Sequence, residues 1–135
     1  MASRNKLRGS PAVVAARAGG LNGYPSESIG SNRDKRYYVK YLIERYHRCR
    51  ELEGRFGSTR RLQYAMLFTK IEAKFRASTY FIPESRFEEL VDYLHFRIDT
   101  TILGRHNIKR GISNYRSYDE FVIEHACGDP VAVAV

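Results

Sequence analysis

The chain has 135 residues and a mass of 15.6 kDa, a length that predicts one domain whose core needs neither metal nor disulfide support. Its 23 Lys and Arg against 15 Asp and Glu give a formal charge of +8 and a pI near 9.7, which indicates a polyanionic partner. Cys49 and Cys127 show no paired spacing, which excludes a disulfide framework and favours a reducing cytoplasm. No apolar run is long enough to span a membrane, so we expect a soluble protein.

Residues 1–31 are rich in Gly, Ser, Ala, Asn and Arg and poor in large apolar side chains. Such a segment cannot bury enough surface to offset the entropy of ordering. We expect a flexible basic arm. It either lies on a nucleic-acid backbone or partner, or is a solvated leader.

The composition changes at residue 32, where Asn32 is a credible N-cap for a long helix that ends near Gly54 or Gly57. One apolar stripe with a single basic interruption runs along this helix; it consists of Tyr38, Tyr41, Leu42, Arg45, Cys49, Leu52 and Phe56. Cys49 is therefore expected to be a small buried hydrophobe and not a nucleophile.

The outer positions of the same helix interleave cations with tyrosines. The cationic positions are Lys35, Arg36, Lys40, Arg45, His47, Arg48 and Arg50, and the tyrosines are Tyr37, Tyr41 and Tyr46. This pattern suits a helix that lies across phosphates with rings near sugars or bases. Equally, the tyrosines could belong to the core and the arginines to a solvated face. From Arg33 to Arg76 there are 13 Lys or Arg against 5 acids, whereas residues 84–99 have 2 against 5.

A second helix is predicted from a cap at Ser58 or Thr59 to Phe75. Its apolar stripe is Tyr64, Leu67, Phe68, Ile71 and Phe75. Arg60 and Arg61 would lie in its first turn, where cations oppose the helix dipole by about 0.3–1 kcal/mol. A bound phosphate would offset that cost, although chance placement is also open.

The link after this helix ends at Pro83, and a third helix must begin there, at Ile82 or at the capping box formed by Ser85 and Glu88. Its predicted stripe is Phe87, Leu90, Val91, Leu94 and Ile98. Glu88, Glu89 and Asp92 form an acidic face that capping and solvation explain better than acid–base catalysis.

This part of the chain resembles the C-terminal domain of bacteriophage antirepressor and prophage regulatory proteins. In that family a basic-aromatic helix end, a Ser-Tyr link, an Ile-Pro or Leu-Pro step and an Arg-Phe-Glu-Glu helix recur in this order. The matching residues here are Lys74-Phe75, Ser78-Thr79-Tyr80, Ile82-Pro83, Arg86-Phe87-Glu88-Glu89, Leu90 and Leu94. The match is good over residues 66–94 and loose over 36–98. It implies a regulatory role in a bacterial host cell.

Farther on, the segment from Arg105 to Arg110 is predicted to be a short basic loop bounded by glycines. Ser117 and Glu120 form a second capping box. It opens a short last helix whose Tyr118, Phe121 and Val122 could pack on the core. Gly128-Asp129-Pro130 stops this helix, and residues 126–135 form a flexible tail.

Nothing in the chain predicts catalysis. Four histidines lie in different predicted elements without metal-ligand spacing, and no phosphate-binding glycine loop or nucleophile elbow occurs. We therefore expect a non-enzymatic protein with no catalytic residue, no metal and no cofactor.

The predicted fold is an all-α bundle of about three main helices plus a short C-terminal helix. One helical domain spans residues 32–125 between the arm (1–31) and the tail (126–135).

The predicted function is nucleic-acid binding, with DNA favoured over RNA, in a phage- or prophage-derived regulatory protein. The predicted contacts are Lys35, Arg36, Lys40, Arg45, Arg48, Arg60 and Arg61, with Arg105, Lys109 and Arg110 as secondary contacts. The alternative is a phage accessory protein that inhibits a host protein complex.

Overall fold

The computed structural model of the chain describes residues 23–54 and 63–126. These residues contain five α-helices and no β-strand, which confirms the all-α prediction. The helices are α1 Arg33–Glu53, α2 Tyr64–Phe75, α3 Phe87–Asp99, α4 Ile102–Lys109 and α5 Tyr118–Ala126. In the described residues, no helix has the length and apolar character needed to cross a bilayer.

The chain divides into two compact units, whereas the sequence predicted one helical domain. Among the described residues, unit 1 consists of residues 23–36 and 63–88, and unit 2 consists of residues 37–54 and 89–126. Each unit therefore combines segments that are distant in sequence. Hydrophobic periodicity cannot show this division, because it reports which face of a helix is buried but not which segments share a core.

In unit 1 the ordered structure begins before residue 32, so the predicted end of the arm at residue 31 is wrong. Ile29 is fully buried in a 3₁₀ turn, and its N–H donates to the carbonyl of Ile82 at 2.8 Å. The N–H of Glu84 donates to the carbonyl of Glu27, also at 2.8 Å. Backbone hydrogen bonds and the burial of Ile29 stabilise this segment although its composition is polar. The predicted arm residues 1–22 lie outside the described residues.

Helix α1 begins as predicted. Asn32 is its N-cap, because the Asn32 Oδ1 accepts from the N–H of Lys35 at 3.1 Å. The helix ends at Glu53, beside the predicted stop at Gly54. Its predicted stripe is right only in part: Tyr38, Leu42 and Cys49 are buried, Tyr41, Arg45 and Leu52 are half-buried, and Phe56 lies outside the described residues. The other buried residues of the helix are Val39, Ile43, Tyr46 and Glu53.

Helix α2 begins at Tyr64, with Gln63 as its N-cap, so the predicted cap at Ser58 or Thr59 is wrong. Three members of its predicted stripe, Leu67, Ile71 and Phe75, are buried. The other two are exposed, with Tyr64 at 53% and Phe68 at 39% of their full surface. The buried stripe is narrower than the apolar one because the packed elements of unit 1 cover only one flank of this helix.

Helix α3 buries all five residues of its predicted stripe, which confirms that prediction. Its start differs, however. Pro83 has extended geometry and precedes a 3₁₀ turn, Glu84–Arg86, so the α-helix begins only at Phe87. Ser85 makes no hydrogen bond to Glu88 within the described chain, and the predicted capping box does not form there.

In unit 2 the residues predicted as a basic loop form helix α4 instead. Two acceptors cap its first turn: the Thr101 hydroxyl accepts from the N–H of Gly104 at 2.9 Å, and the Glu53 carboxylate accepts from the N–H of Ile102 at 2.8 Å. Gly104 has no side chain to clash with the nearby carbonyl of Ile98. These tertiary contacts outweigh the weak helix propensity of glycine.

Helix α5 opens on the predicted capping box. The N–H of Ser117 donates to Glu120 Oε1 at 3.0 Å, and the N–H of Glu120 donates to the Ser117 hydroxyl at 3.1 Å. Phe121 is buried, and the helix ends at Ala126. The predicted tail beyond this helix lies outside the described residues.

Candidate nucleic-acid interface

The ten predicted contact residues do not all belong to one unit. Lys35 and Arg36 lie in unit 1, and Arg60 and Arg61 lie outside the described residues. Unit 2 holds the other six, which are Lys40, Arg45, Arg48, Arg105, Lys109 and Arg110. Helix α2 begins at Tyr64, so the described structure does not support a phosphate held by Arg60 and Arg61 at that helix start.

The two cations in unit 1 are engaged within the fold. Lys35 Nζ lies 3.0 Å from Glu84 Oε2 and 5.1 Å from the centre of the Phe87 ring. Arg36 donates to the carbonyl of Gly30 at 2.5 Å. The hydrogen bond from Lys35, with a second from Asn32, lowers the pKa of the Glu84 carboxyl against the opposing effect of burial. These charges contribute to folding of unit 1 more than to its outward field.

The cations of α1 in unit 2 are also mostly paired. Arg45 donates to the carbonyl of Asn114 at 3.0 Å, and Arg48 lies 3.6 Å from Glu51 on the surface. Arg50 lies 3.0 Å from the buried carboxylate of Glu53. The exposed stripe of α1 in this unit carries both signs of charge; it consists of Tyr37, Lys40, Glu44, Arg48 and Glu51. Helix α1 is therefore not the uniformly basic face that its composition suggested.

Helix α4 differs from α1 in this respect. Lys109 and Arg110 are exposed, and within the described residues neither side chain has a hydrogen bond or an ion pair. Arg105 is also exposed and donates only to the carbonyl of Thr100, at 3.1 Å. The sequence contains four Lys or Arg and no acid between Asp99 and Asp119. We call Arg105, Lys109 and Arg110 the α4 basic surface.

Apolar side chains accompany these cations. Ile102, Ile108 and Ile112 are exposed by 46%, 53% and 44%. An isoleucine exposed alone is ordinary, but three around one short helix give the surface an apolar component beside its charge.

The side chain of Asn114 holds α4 in place. It is 3% exposed, and its amide donates to Asp99 Oδ1 at 2.9 Å and to the carbonyl of Gly104 at 3.2 Å. Its Oδ1 accepts from Asn107 at 2.9 Å. All polar atoms of this buried amide are thus used, which makes the network a rigid support. The sequence does not predict this network, since an Asn in a loop gives no sign of burial.

A second cluster surrounds Tyr38. The Tyr38 hydroxyl donates to the carbonyl of Arg116 at 2.6 Å, so His95 Nε2, 3.0 Å away, must carry the proton and donate to that hydroxyl. The His95 ring stacks on Tyr115 with centroids 3.9 Å apart. Burial lowers the pKa of His95 and raises the pKa values of Tyr38 and Tyr115. These groups are held in their neutral forms and pack the unit.

Unit 2 also contains an open cleft of about 500 Å³ beside α1. We call it the tyrosine cleft. It is lined by Tyr37, Lys40, Tyr41, Glu44, Arg116, Phe121 and His125. The sequence predicted Lys40 and the two tyrosines as surface contacts, but it did not predict the other four residues as part of a site. Three of those come from α5 and the loop before it, and no local pattern relates them to α1.

Cys49 is 1% exposed, and burial raises the pKa of its thiol, so it is a buried hydrophobe as predicted. Among the described residues, no three His, Cys, Asp or Glu side chains are grouped as metal ligands would be.

Comparisons of this chain with protein-family models, with curated proteins and with solved structures find no match. The resemblance to phage antirepressor domains therefore stays a prediction.

Proposed function

We propose that the protein binds nucleic acid, DNA in preference to RNA, through the α4 basic surface, as a phage- or prophage-derived regulatory protein. One observation carries the proposal: Lys109 and Arg110 are exposed and unpaired in the described structure, within a run of 19 residues, 100–118, that contains no acid. Unpaired surface cations can each neutralise a phosphate and release its counterion. The proposal assigns no catalytic step to the protein.

The net charge of the whole chain adds a long-range electrostatic field to these contacts. A net charge of +8 attracts a polyanion at long range, while the unpaired cations provide short-range contacts. Lys35, Arg48 and Arg50 contribute less, because a carboxylate within 4 Å offsets part of each charge at a distance. Arg36 and Arg45 keep their charge, but their bonds to backbone carbonyls hold the guanidinium groups against the fold. This moves the expected interface from α1 to α4.

The test is a salt titration of binding to a short labelled duplex. We expect log K to fall linearly with log salt, with a slope of about −0.9 for each phosphate contact. Replacing Lys109→Ala together with Arg110→Ala should reduce the steepness of that slope by about 1.8. A matched control, Lys70→Ala with Lys74→Ala, removes the same charge from exposed positions of α2 and should leave the slope near that of the unmodified protein.

Two results would overturn the proposal. One is the absence of binding tighter than about 10⁻⁴ M near physiological salt, the weak end of non-specific affinity. The other is an equal loss of slope in both double variants, which would mean that net charge alone, and not the α4 basic surface, governs binding.

A second candidate function is inhibition of a host protein complex, and the exposed isoleucines of α4 favour it. Exposed aliphatic groups offer a protein partner apolar surface to bury, whereas they add little to phosphate contacts. A complex with a host protein that survives high salt, and that Ile108→Ser disrupts without change in duplex binding, would support this candidate.

A further inference from the structure

We propose that the tyrosine cleft binds one unpaired base of a single-stranded segment, and that Glu44 selects a base with adjacent N–H donors, which is guanine. This inference rests on the proposed function, and it names the part of a nucleic acid that unit 2 recognises.

The walls of the cleft suit a flat ring. The buried Phe121 ring packs on Tyr41, with centroids 5.2 Å apart, and on His125, with centroids 4.0 Å apart. Tyr37 adds a further ring at 41% exposure. The volume of about 500 Å³ lies within the range of about 300–1,000 Å³ usual for small-ligand sites. Aromatic walls of this kind accept any base by stacking.

The cleft wall is fixed before any ligand arrives. The backbone of Arg116 is held from both sides, since its N–H donates to the Tyr41 hydroxyl at 2.8 Å and its carbonyl accepts from Tyr38 at 2.6 Å. Its guanidinium is paired with Glu124 at 2.9 Å. A preformed wall reduces the entropy lost on binding.

Two polar side chains in the cleft have no partner in the described part of the chain. Lys40 and Glu44 lie one helical turn apart on α1, and both are exposed. The ammonium group of Lys40 can meet a backbone phosphate. The carboxylate of Glu44 can only accept hydrogen bonds at neutral pH, so it selects a ligand that donates.

The Watson–Crick edges of the bases differ in their donors. Guanine presents its ring N1–H and its exocyclic amino group side by side, which matches both oxygens of a carboxylate. Adenine and cytosine present one amino group beside an acceptor nitrogen, and thymine or uracil presents one N–H between two carbonyls that repel a carboxylate. Glu44 should therefore rank guanine first and thymine or uracil last. In a duplex this edge is already paired, so the ligand must be single-stranded or flipped out.

The cleft and the α4 basic surface can meet one strand. Both lie in unit 2, and Arg116 lies six positions after Arg110 in the chain, which limits their Cα distance to at most about 22 Å. The Asn114 network ties the intervening loop to α4. A strand whose phosphates contact Lys109 and Arg110 can thus place a nearby base in the cleft.

The test uses the full chain and short labelled oligothymidine strands that carry one guanine, inosine, adenine or thymine at the centre. We expect the guanine strand to bind about tenfold more tightly than the all-thymine strand, the effect of one hydrogen bond to a charged group. Inosine, which lacks the amino group, should fall between them. Glu44→Gln should reduce the guanine preference to about twofold or less, because an amide offers one acceptor in place of two charged ones.

Two further variants separate recognition from general effects. Glu51→Gln makes the same charge change on the exposed stripe of α1 outside the cleft and should leave the base ranking unchanged. Tyr37→Ala should weaken all four single strands about tenfold through loss of stacking, with duplex binding unchanged.

Equal affinity for the four strands, or a guanine preference that survives Glu44→Gln, overturns the inference. If binding then still loses salt dependence in the Lys109→Ala and Arg110→Ala double variant, the proposed function stands without the base site. If no strand and no duplex binds, the proposed function fails as well.

Discussion

Helices α1 and α4 are both rich in cations, but most cations of α1 have partners inside the fold, whereas most cations of α4 do not in the described structure. Helix α1 has seven Lys or Arg among 21 residues, together with four acids, and most of its cations have partners inside the fold. Helix α4 and its C-cap have three cations and no acid, and two of those cations have no partner among the described residues. The number of charges on a helix therefore does not identify an interface. What matters is the number left unpaired after folding.

The largest expected loss of stability comes from removing Glu53, the buried acid that pairs with a cation of α1. Glu53→Ala leaves the guanidinium of Arg50 and the N–H of Ile102 without their carboxylate. Because Glu53 is almost fully buried, this variant should lose about 3 kcal/mol of unfolding free energy, measured by urea denaturation. Glu51→Ala removes an exposed acid two residues earlier and should cost at most about 0.5 kcal/mol. Similar losses in both variants would contradict this account of α1.

The next largest loss of stability is expected on removal of Asn114, whose side chain supports α4. Asn114→Ala removes the amide that links Asp99, Gly104 and Asn107, and it takes a donor from the Asp99 carboxylate and from the carbonyl of Gly104. We expect a loss of about 2 kcal/mol. Asn107→Ala removes only one of these bonds and should cost about 1 kcal/mol or less. If Asn114→Ala were neutral in denaturation, α4 would not depend on this network.

Two sequence motifs with the spacing of a capping box also differ in whether they form hydrogen bonds. Ser117 and Glu120 exchange both capping hydrogen bonds, whereas Ser85 and Glu88 have the same spacing and exchange none in the described structure. Ser117→Ala should therefore cost about 1 kcal/mol, and Ser85→Ala should change stability by only a few tenths of a kcal/mol. Equal costs, measured side by side by thermal unfolding, would show that the spacing and not the observed bonds matters.

The smallest effect concerns the ion pair between Lys35 and Glu84. Hydrogen bonds from Lys35 and Asn32 lower the pKa of Glu84 below its ordinary value of 4.5, so folding favours the carboxylate. The resulting stability is fully present above pH 4.5 and is lost as the pH falls through the lowered folded pKa. Because both side chains are partly exposed, Glu84→Gln should cost only about 0.5 kcal/mol at pH 7. The difference from the unmodified protein should vanish at strongly acidic pH, and a constant difference across that range would contradict the ion-pair account.

Much of the local structure follows from the sequence. Asn32 and Ser117 cap helices as predicted, α1 stops beside Gly54, and the five apolar positions of α3 are all buried. These features depend on neighbours within a few residues, where side-chain chemistry and helical period act directly. The apolar stripe of α2 was predicted only in part, because the partner segments decide how wide a face is covered.

Features that depend on distant residues could not be predicted. Helix α4 is capped by Glu53, which lies 49 positions earlier, and the Ser85 capping box is absent where Glu84 is engaged by Glu27, Asn32 and Lys35. The same is true of the tyrosine cleft, which brings residues of α1 together with Arg116 and α5.

The sequence by itself determined that the chain is helical and strongly basic, where two of the helices are capped and which face of α3 is apolar. Only the tertiary structure decided which cations remain unpaired, that residues 105–109 are helical, and that Lys40 and Glu44 border a cleft. The physical reason is the range of the interactions. Caps and periodicity act between near neighbours in the chain, whereas ion pairing and burial depend on residues that folding brings together from far apart.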